Sequence, residues 1–148
     1  MILTAAPHVY LVPMVPHDVT SEFIEGMNDP EVYFHYPYYA LPQTRATIHA
    51  LILDNMKDEF SRLYGIHVNG DLRGIARVAL TRPPVSTVII FDKVYWGTGL
   101  EHAASKRLWE FLNELRAAQG VGKGSDLGSL TEPERLHLST LWKERDPW

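Results

Sequence analysis

Apolar and polar positions alternate along the chain with two periods, one typical of strands and the other of helices. An apolar run over residues 9–15 predicts a short strand. Two further runs, 63–68 and 72–80, flank Asn69 and Gly70. An Asn-Gly pair between two apolar runs is the strongest short-range signal for a β-hairpin, so we expect these two strands to pair.

A fourth strand is predicted over residues 85–91, after a turn at Arg82-Pro83-Pro84. Its run of Val, Ile and Phe is apolar enough to lie in the middle of a sheet. Directly after it come two glycines, Gly97 and Gly99, and then a long helical pattern. The chain therefore passes from a buried strand through a glycine turn into a helix.

Apolar residues at helical spacing predict four helices. The first begins at Asp18 or Thr20 as its N-cap and ends at Asn28-Asp29-Pro30, because the residue before a proline is driven out of the α region. The others are predicted over about 44–60, from the glycine turn to about 119, and over 131–145, where Thr131 and Glu134 form a capping box.

The segment 33–42, YFHYPYYALP, is rich in aromatic residues and proline, and it predicts an irregular loop or lid. His35 in this segment is a candidate general base near pH 7, although an exposed histidine on a packed aromatic loop is the simpler interpretation. Tyr36 is a second catalytic candidate. Together with Tyr38 and Tyr39 it lines either an acceptor pocket or an interaction surface.

Composition narrows the class of protein. A chain of 148 residues with 45% hydrophobic and 22% charged residues predicts one soluble globular domain. The formal net charge of −4 argues against a nucleic-acid partner, since no basic stripe is present to meet phosphates. No run approaches the roughly 20 apolar residues of a membrane span, and no signal-peptide pattern is present, so a cytoplasmic protein is expected.

Residue usage also excludes several kinds of site. The absence of cysteine rules out disulfides, thiolate metal sites and a cysteine nucleophile. The seven histidines are spread without ligand spacing, so no metal site is predicted.

The glycine turn carries the clearest chemical signal. A strand that runs into Gly97-Thr98-Gly99 and a helix aims several backbone N–H groups at one point, at the positive end of the helix dipole. Such a turn binds an anionic group, or it is only a tight connection between two elements. The spacing matches neither a Walker motif nor a dinucleotide fingerprint, because no Gly-Lys-Ser/Thr follows and His102 occupies the third glycine position.

The surrounding residues resemble the acetyl-CoA-binding segment of the GNAT superfamily of acyl-CoA N-acetyltransferases, in the branch that acetylates ribosomal-protein N-termini. That segment typically reads strand–Asp–Pro–x–Tyr–Trp–Gly–x–Gly–Tyr–Ala–x–Glu–Ala. The residues of this chain that match it in order are Asp92, Tyr95, Trp96, Gly97, Gly99 and Ala104. LVPMVPHD, MNDPEV and GDLRGIARVAL resemble the family's opening strand, first helix end and strand pair, so the resemblance covers roughly residues 8–118.

The resemblance implies a cofactor and the residues that hold it. The diphosphate of acetyl-CoA would lie on the turn, and the pantetheine arm would pair with the strand before it; no metal is required. The residues implied for the turn are Val94, Tyr95, Trp96, Gly97, Thr98, Gly99 and Leu100. Those implied for the strand are Ile89, Ile90 and Phe91.

The resemblance also implies the fold, an α/β (α+β) domain with a mixed, mostly antiparallel central sheet flanked by helices. Residues 1–120 form the acetyl-CoA-binding core, and residues 121–148 form a glycine-rich linker and a C-terminal helix of the same single domain. The C-terminal part is atypical: it lacks the β-branched run, the tyrosine and the Gly-Phe strand with which the family usually closes its sheet.

Two functions follow. The first is an N-acetyltransferase that transfers an acetyl group from acetyl-CoA to a primary amine of a protein or small molecule. The alternative is a catalytically impaired GNAT-like protein that binds and modulates a partner protein. In either case a shortened sheet leaves an open edge, which pairing in a homodimer would relieve.

Overall fold

The central sheet has five strands in a computed structural model that describes residues 2–81, 84–118 and 131–145. All neighbouring strands are antiparallel and follow chain order. They are β1 (Leu3–Ala6), β2 (Val9–Pro13), β3 (Ser61–Val68), β4 (Asp71–Ala79) and β5 (Val85–Ile90). The fold is the mixed α+β arrangement with an antiparallel sheet that the sequence predicts.

The described residues include five α-helices, which pack around this sheet: α1 (Ser21–Met27), α2 (Pro30–His35), α3 (Arg45–Lys57), α4 (Leu100–Ala118) and α5 (Glu132–Arg145). Because side chains alternate across a strand, successive residues show which helix covers which face. Ser61 of β3 donates to Asn55 of α3, whereas Tyr64 on the opposite face accepts from Trp142 of α5. Helix α3 therefore covers one face, and α4 and α5 cover the other.

The local signals for the hairpin and the helix caps are confirmed. Asn69 and Gly70 both have positive φ, 52° and 87°, as a tight two-residue hairpin turn requires. Thr20 caps α1 by accepting from the Phe23 N–H, and Thr131 with Glu134 forms the capping box of α5. The predicted turn at Arg82 and Pro83 and the linker at 120–129 lie outside the described residues, and the domain division at residue 120 stays a prediction.

Two features of the N-terminal half differ from the sequence-based expectation. The first is the irregular segment 33–42, whose residues 33–35 belong to helix α2. The Asn28-Asp29-Pro30 break ends α1 and also starts α2, because the Asp29 side chain caps the Glu31 N–H and proline is favoured at the first helical position. The second is strand β1, which the sequence does not predict because Leu3–Ala6 is only four residues long and contains two alanines.

Helix α5 is docked on the rest of the molecule. Trp142 is 1% exposed, and its indole packs edge-on against Phe111 of α4. Leu138 and Leu141 are also buried, whereas Leu136 is exposed. The helix lies at the end of β3 and β4, where Ser139 donates to the Glu59 carbonyl and Arg135 to the Leu80 carbonyl. No described strand pairs with the outer edge of β5.

None of the helices in the described ranges combines the length and the hydropathy that crossing a membrane demands.

Candidate active site at the edge of strand β5

The glycine turn is built by a short 3-10 segment between β5 and α4. The Asp92 side chain accepts from the Val94 N–H and starts the segment Lys93–Tyr95. Gly97 and Gly99 then reverse the chain with φ of 76° and 87°, a left-handed region that side chains rarely adopt. Helix α4 begins at Leu100, so its N-terminus directly follows Gly99 at the end of the turn.

Only some of the turn's N–H groups are free to bind an anion. The amides of Tyr95, Trp96 and Thr98 each donate to the carbonyl three residues earlier in the chain's own turn. Among the described residues, no hydrogen bond satisfies the amides of Gly97, Gly99 and Leu100. The amides of Val94, Tyr95, Trp96 and Thr98 are already hydrogen-bonded within the turn. Fewer residues are therefore available to bind an anion than the predicted range Val94–Leu100.

The space outside the turn is open. A Cβ atom added at Gly97 or Gly99 would meet no heavy atom within 4 Å. Free amides, a helix N-terminus and open space above them are what an anionic phosphate group needs. The residues present thus fit the diphosphate that the sequence resemblance implies.

The outer edge of β5 is the second part of the site. The Trp96 indole donates to the Ile90 carbonyl at 2.8 Å, so the main-chain groups of Ile90 point away from β4. In an antiparallel pair these directions alternate, so the groups of Ser86 and Val88 also point outward and those of Ile89 point towards β4. No described strand lies beyond β5, and this edge is available for main-chain pairing.

A groove of about 380 Å³ runs between this edge and the first turns of α4. It is lined by Tyr38, by residues 85–88, and by Glu101 and Ser105. Glu101 projects from the first turn of α4 and is the carboxylate of the groove. The groove therefore lies between the open strand edge and the first turns of the helix that follows the glycine turn.

Tyr36 lies behind the groove and holds Glu101. Its side chain is 2% exposed, and its hydroxyl donates to the Glu101 carboxylate at 3.1 Å. Burial, reinforced by the negative charge of Glu101, raises the pKa of Tyr36 to about 12. Tyr36 therefore keeps its proton near neutral pH and acts as a hydrogen-bond donor there.

His35 lies outside the groove. Its exposed ring stacks on Trp96, with centroids 4.7 Å apart and planes 22° apart, and it lines a shallow depression with Phe34 and Glu31. The structure therefore places both predicted catalytic residues around Trp96, with Tyr36 turned towards the groove and His35 away from it.

A second cavity of about 350 Å³ opens on the other face of the sheet, under α3. Its walls are largely apolar, and it also contains Asn55 and Arg77. Tyr38 and Thr87 line both this cavity and the groove. The two depressions thus meet at the edge of β5, one approached from the α4 side and one from the α3 side.

Ion pairs fix the glycine turn to the preceding helices. Lys93 lies 2.8 Å from Asp29, and this contact holds the pKa of the Asp29 carboxyl below its usual value. Arg73 of β4 pairs with Glu22 of α1 at 2.7 Å and lies 3.5 Å from Asp92 at the start of the turn. The turn is therefore positioned by the junction of α1 and α2 as well as by β5.

The sequence did not reveal Glu101, Arg77 or Thr87 as site residues. Glu101 carries a weak signal, an acidic residue in the first turn after the glycines. Arg77 carries another, a charged residue within the apolar run 72–80. Across residues 2–81, 84–118 and 131–145, no group of three or more His, Asp or Glu side chains is placed to hold a metal ion.

The fold is similar to that of solved acetyltransferases. A structure described as a probable acetyltransferase superposes with a TM-score of 0.59 and 16% identity, over 75% of this chain and 66% of the other. The microcin C7 self-immunity acetyltransferase MccE, solved with acetyl-CoA and AMP, superposes with a TM-score of 0.59 and 15% identity, over 80% of this chain and 68% of the other.

This chain spans about two thirds of the length of both structures. No protein-family model matches it, and no curated protein matches it either. At this level of identity the superpositions establish the fold alone: the chain shares its α+β fold with these two acetyltransferases.

Proposed function

We propose that this protein is an acetyl-CoA-dependent N-acetyltransferase that acts on a primary amine. The observation that carries the proposal is the set of free N–H groups at Gly97, Gly99 and Leu100, beside an open strand edge and at the N-terminus of α4. The complex of MccE with acetyl-CoA supports it, because that protein shares the fold.

The chain's own residues would hold acetyl-CoA in two places. The amides of Gly97, Gly99 and Leu100 would bind the diphosphate. The outward main-chain groups of Ser86 and Val88 would pair with the amide-containing pantetheine arm, so the pairing shifts by a few residues from the predicted Ile89–Phe91. When bound, acetyl-CoA supplies a thioester whose carbonyl carbon forms a C–N bond with the amine, while the C–S bond breaks and coenzyme A leaves as a thiolate.

The acceptor amine would reach the groove from the second cavity, since Tyr38 and Thr87 line both. Holding the two reactants at one point converts a bimolecular step into an effectively unimolecular one, which accounts for a large share of the rate. In this arrangement the amine and the cofactor approach the edge of β5 from opposite faces of the sheet.

The amine must lose a proton when it forms the new bond. Glu101 is the carboxylate of the groove, and it would accept that proton directly or through water. Tyr36 would orient Glu101 through its hydrogen bond. His35, the candidate base in the sequence, would act only through water from its position on Trp96.

A second candidate function is the catalytically impaired binding protein. Phe34 is 88% exposed and Tyr38 is 65% exposed, and both belong to the aromatic segment beside the site. Large exposed side chains of this kind are typical of interaction surfaces.

Release of the coenzyme A thiol in the presence of acetyl-CoA and a panel of primary amines separates the two functions. An acetyltransferase gives amine-dependent thiol release together with an acetylated product in the mass spectrum. A binding protein gives neither thiol release nor an acetylated product. It would still bind acetyl-CoA if the glycine turn retains its capacity to bind the diphosphate.

A further inference from the structure

The cavity under α3 contains one arginine whose end groups are not used. Arg77 lies on β4, and its Nε donates to the Asn55 side-chain oxygen at 3.0 Å. No hydrogen bond or ion pair in the described structure uses its Nη groups, and no described carboxylate lies within 4.0 Å of them. The guanidinium therefore presents its unused N–H donors to the cavity that it lines.

The position of Arg77 is fixed by buried neighbours. Asn55 is 4% exposed, and its side-chain oxygen also accepts from Ser61 at 3.1 Å while its amide group donates to the Leu51 carbonyl. Asn55 is thus locked by three hydrogen bonds and holds Arg77 in one orientation. A guanidinium held in this way can bind a carboxylate with two parallel hydrogen bonds.

Arg77 is also close to the proposed reaction point. It lies directly opposite Thr87 in the β4–β5 register, and Thr87 lines both the cavity and the groove. Side chains of directly opposed residues are about 5 Å apart at their Cβ atoms. An anion on Arg77 would therefore lie next to the amine that reaches Thr87.

The rest of the cavity is suited to an apolar body. Its floor is formed by Met27, Leu63, Ile75 and Ile89, and Leu51 covers it from α3. Asp54 and Asp58 stand at the exposed rim, where they attract a positively charged ligand before it enters. A polyamine would pair with the two carboxylates at the rim, but its positive charges would be repelled by Arg77 inside the cavity.

We infer that the acceptor is an amine with a carboxylate on the neighbouring carbon and an apolar side chain, that is, a free apolar α-amino acid. The inference rests on the proposed function, because it assigns the second cavity to the acceptor of that reaction. Arg77 binds the carboxylate, the apolar floor takes the side chain, and the amine is left at Thr87.

The test compares leucine, methionine and phenylalanine with their C-terminal amides, which carry a neutral amide group in place of the carboxylate. Binding is measured by calorimetry without acetyl-CoA, and KM and kcat are measured with it. The variants are Arg77→Gln, which removes the charge, and Arg107→Gln, which removes a charge on α4 outside the cavity. Circular dichroism confirms that each variant is folded.

The wild-type protein and Arg107→Gln are expected to bind the acids about tenfold or more tightly than the amides, as for a charge-assisted hydrogen-bonded pair. Arg77→Gln is expected to abolish this preference by raising KM for the acids, with little change for the amides. Because the readout is a ratio within each variant, a general loss of stability does not produce it.

Equal binding of acids and amides by the wild-type protein, no binding of any acid, or an unchanged preference in Arg77→Gln would each overturn the inference. Acetyl-CoA is titrated separately. If it does not bind, the proposed function fails, and the acid–amide comparison without acetyl-CoA still decides what the cavity holds.

Discussion

At the scale of single residues, the site depends on a few side chains that hold others in place. Trp96 is hydrogen-bonded to the Ile90 carbonyl, His35 stacks on it, and Tyr36 meets its edge at 6.1 Å. Tyr36 in turn donates to Glu101. The aromatic segment before α3 is thereby connected to both the strand edge and the first turn of α4.

The raised pKa of Tyr36 predicts a stability change at alkaline pH. The folded protein holds this phenol proton until a pKa of about 12, whereas the unfolded chain releases it near 10.0. The stabilising effect is therefore complete below pH 10 and is lost as the pH rises from about 10 to about 12. Tyr36→Phe should flatten this part of the stability curve, measured by urea unfolding at each pH.

The same variant should lose only about 1 kcal/mol near pH 7, where the change removes one hydrogen bond and leaves the ring. If the free energy of unfolding falls equally steeply between pH 10 and 12 in the wild-type protein and in Tyr36→Phe, the raised pKa does not belong to Tyr36. A second tyrosine, the partly buried Tyr39, also has its pKa raised to about 12, so the loss of stability with pH is reduced in the variant but not removed.

The glycine turn can be predicted from the sequence because its signal lies in adjacent residues. The side chains around the turn cannot, because their roles depend on contacts made only in the tertiary structure. A strand followed by Gly97, Gly99 and a helix is a signal within one short stretch of sequence. Glu101 and Arg77 gain their roles from Tyr36 and Asn55, which are 65 and 22 positions away. Periodicity reports the face on which such a residue lies, but not what it meets there.

At the scale of elements, helix α5 takes a position at the end of β3 and β4. Its buried face comprises Leu138, Leu141 and Trp142, and Arg135 lies over the Phe60 ring at 3.6 Å. The sequence predicted the helix and its apolar residues. It did not predict where the helix docks, because the glycine-rich composition of residues 120–129 carries no signal for a direction.

Trp142→Ala should destabilise the protein by about 3–5 kcal/mol, because it leaves a large cavity and removes the hydrogen bond to the Tyr64 hydroxyl. Leu136→Ala on the same helix should cost less than about 0.5 kcal/mol, since this side chain is 49% exposed. Chemical denaturation of both variants measures the difference. Similar midpoints for the two would show that α5 is not docked in solution.

Helix α2 begins at the Asn28-Asp29-Pro30 break, which the sequence predicts only as the end of α1. Pro30 ends one helix and is also the first residue of the next. The residues after it are rich in aromatic side chains and proline, and this composition predicts a loop. The Asp29 cap and the Asp29–Lys93 ion pair, which connects this junction to the turn, decide the structure instead.

At the scale of the whole molecule, β5 is an edge strand that no described element covers. Its outward main-chain groups at Ser86 and Val88 are able to pair either with a ligand or with another chain. Since no described strand pairs with the outer edge of β5, this edge is the surface on which the predicted homodimer would form.

Sedimentation velocity over a range of concentrations tests this dimer. If β5 pairs with a second copy, the concentrated protein should sediment as a dimer, and acetyl-CoA should convert it to a monomer by competing for the same edge. Ser86→Pro, which removes one outward N–H group, should weaken the dimer. A monomer at every concentration would show that the edge is unpaired without its ligand.

The account depends most directly on acetyl-CoA binding at the glycine turn. Calorimetric titration of acetyl-CoA into the wild-type protein, Gly99→Glu and Gly70→Glu tests it, because Gly99 and Gly70 share a φ of 87° and open surroundings. Both substitutions carry the same backbone strain, about 1–3 kcal/mol. Only Gly99→Glu places a carboxylate beside the free amides, so it alone should weaken binding by about tenfold or more. Equal affinities in the two variants, or no binding by the wild-type protein, would contradict the account.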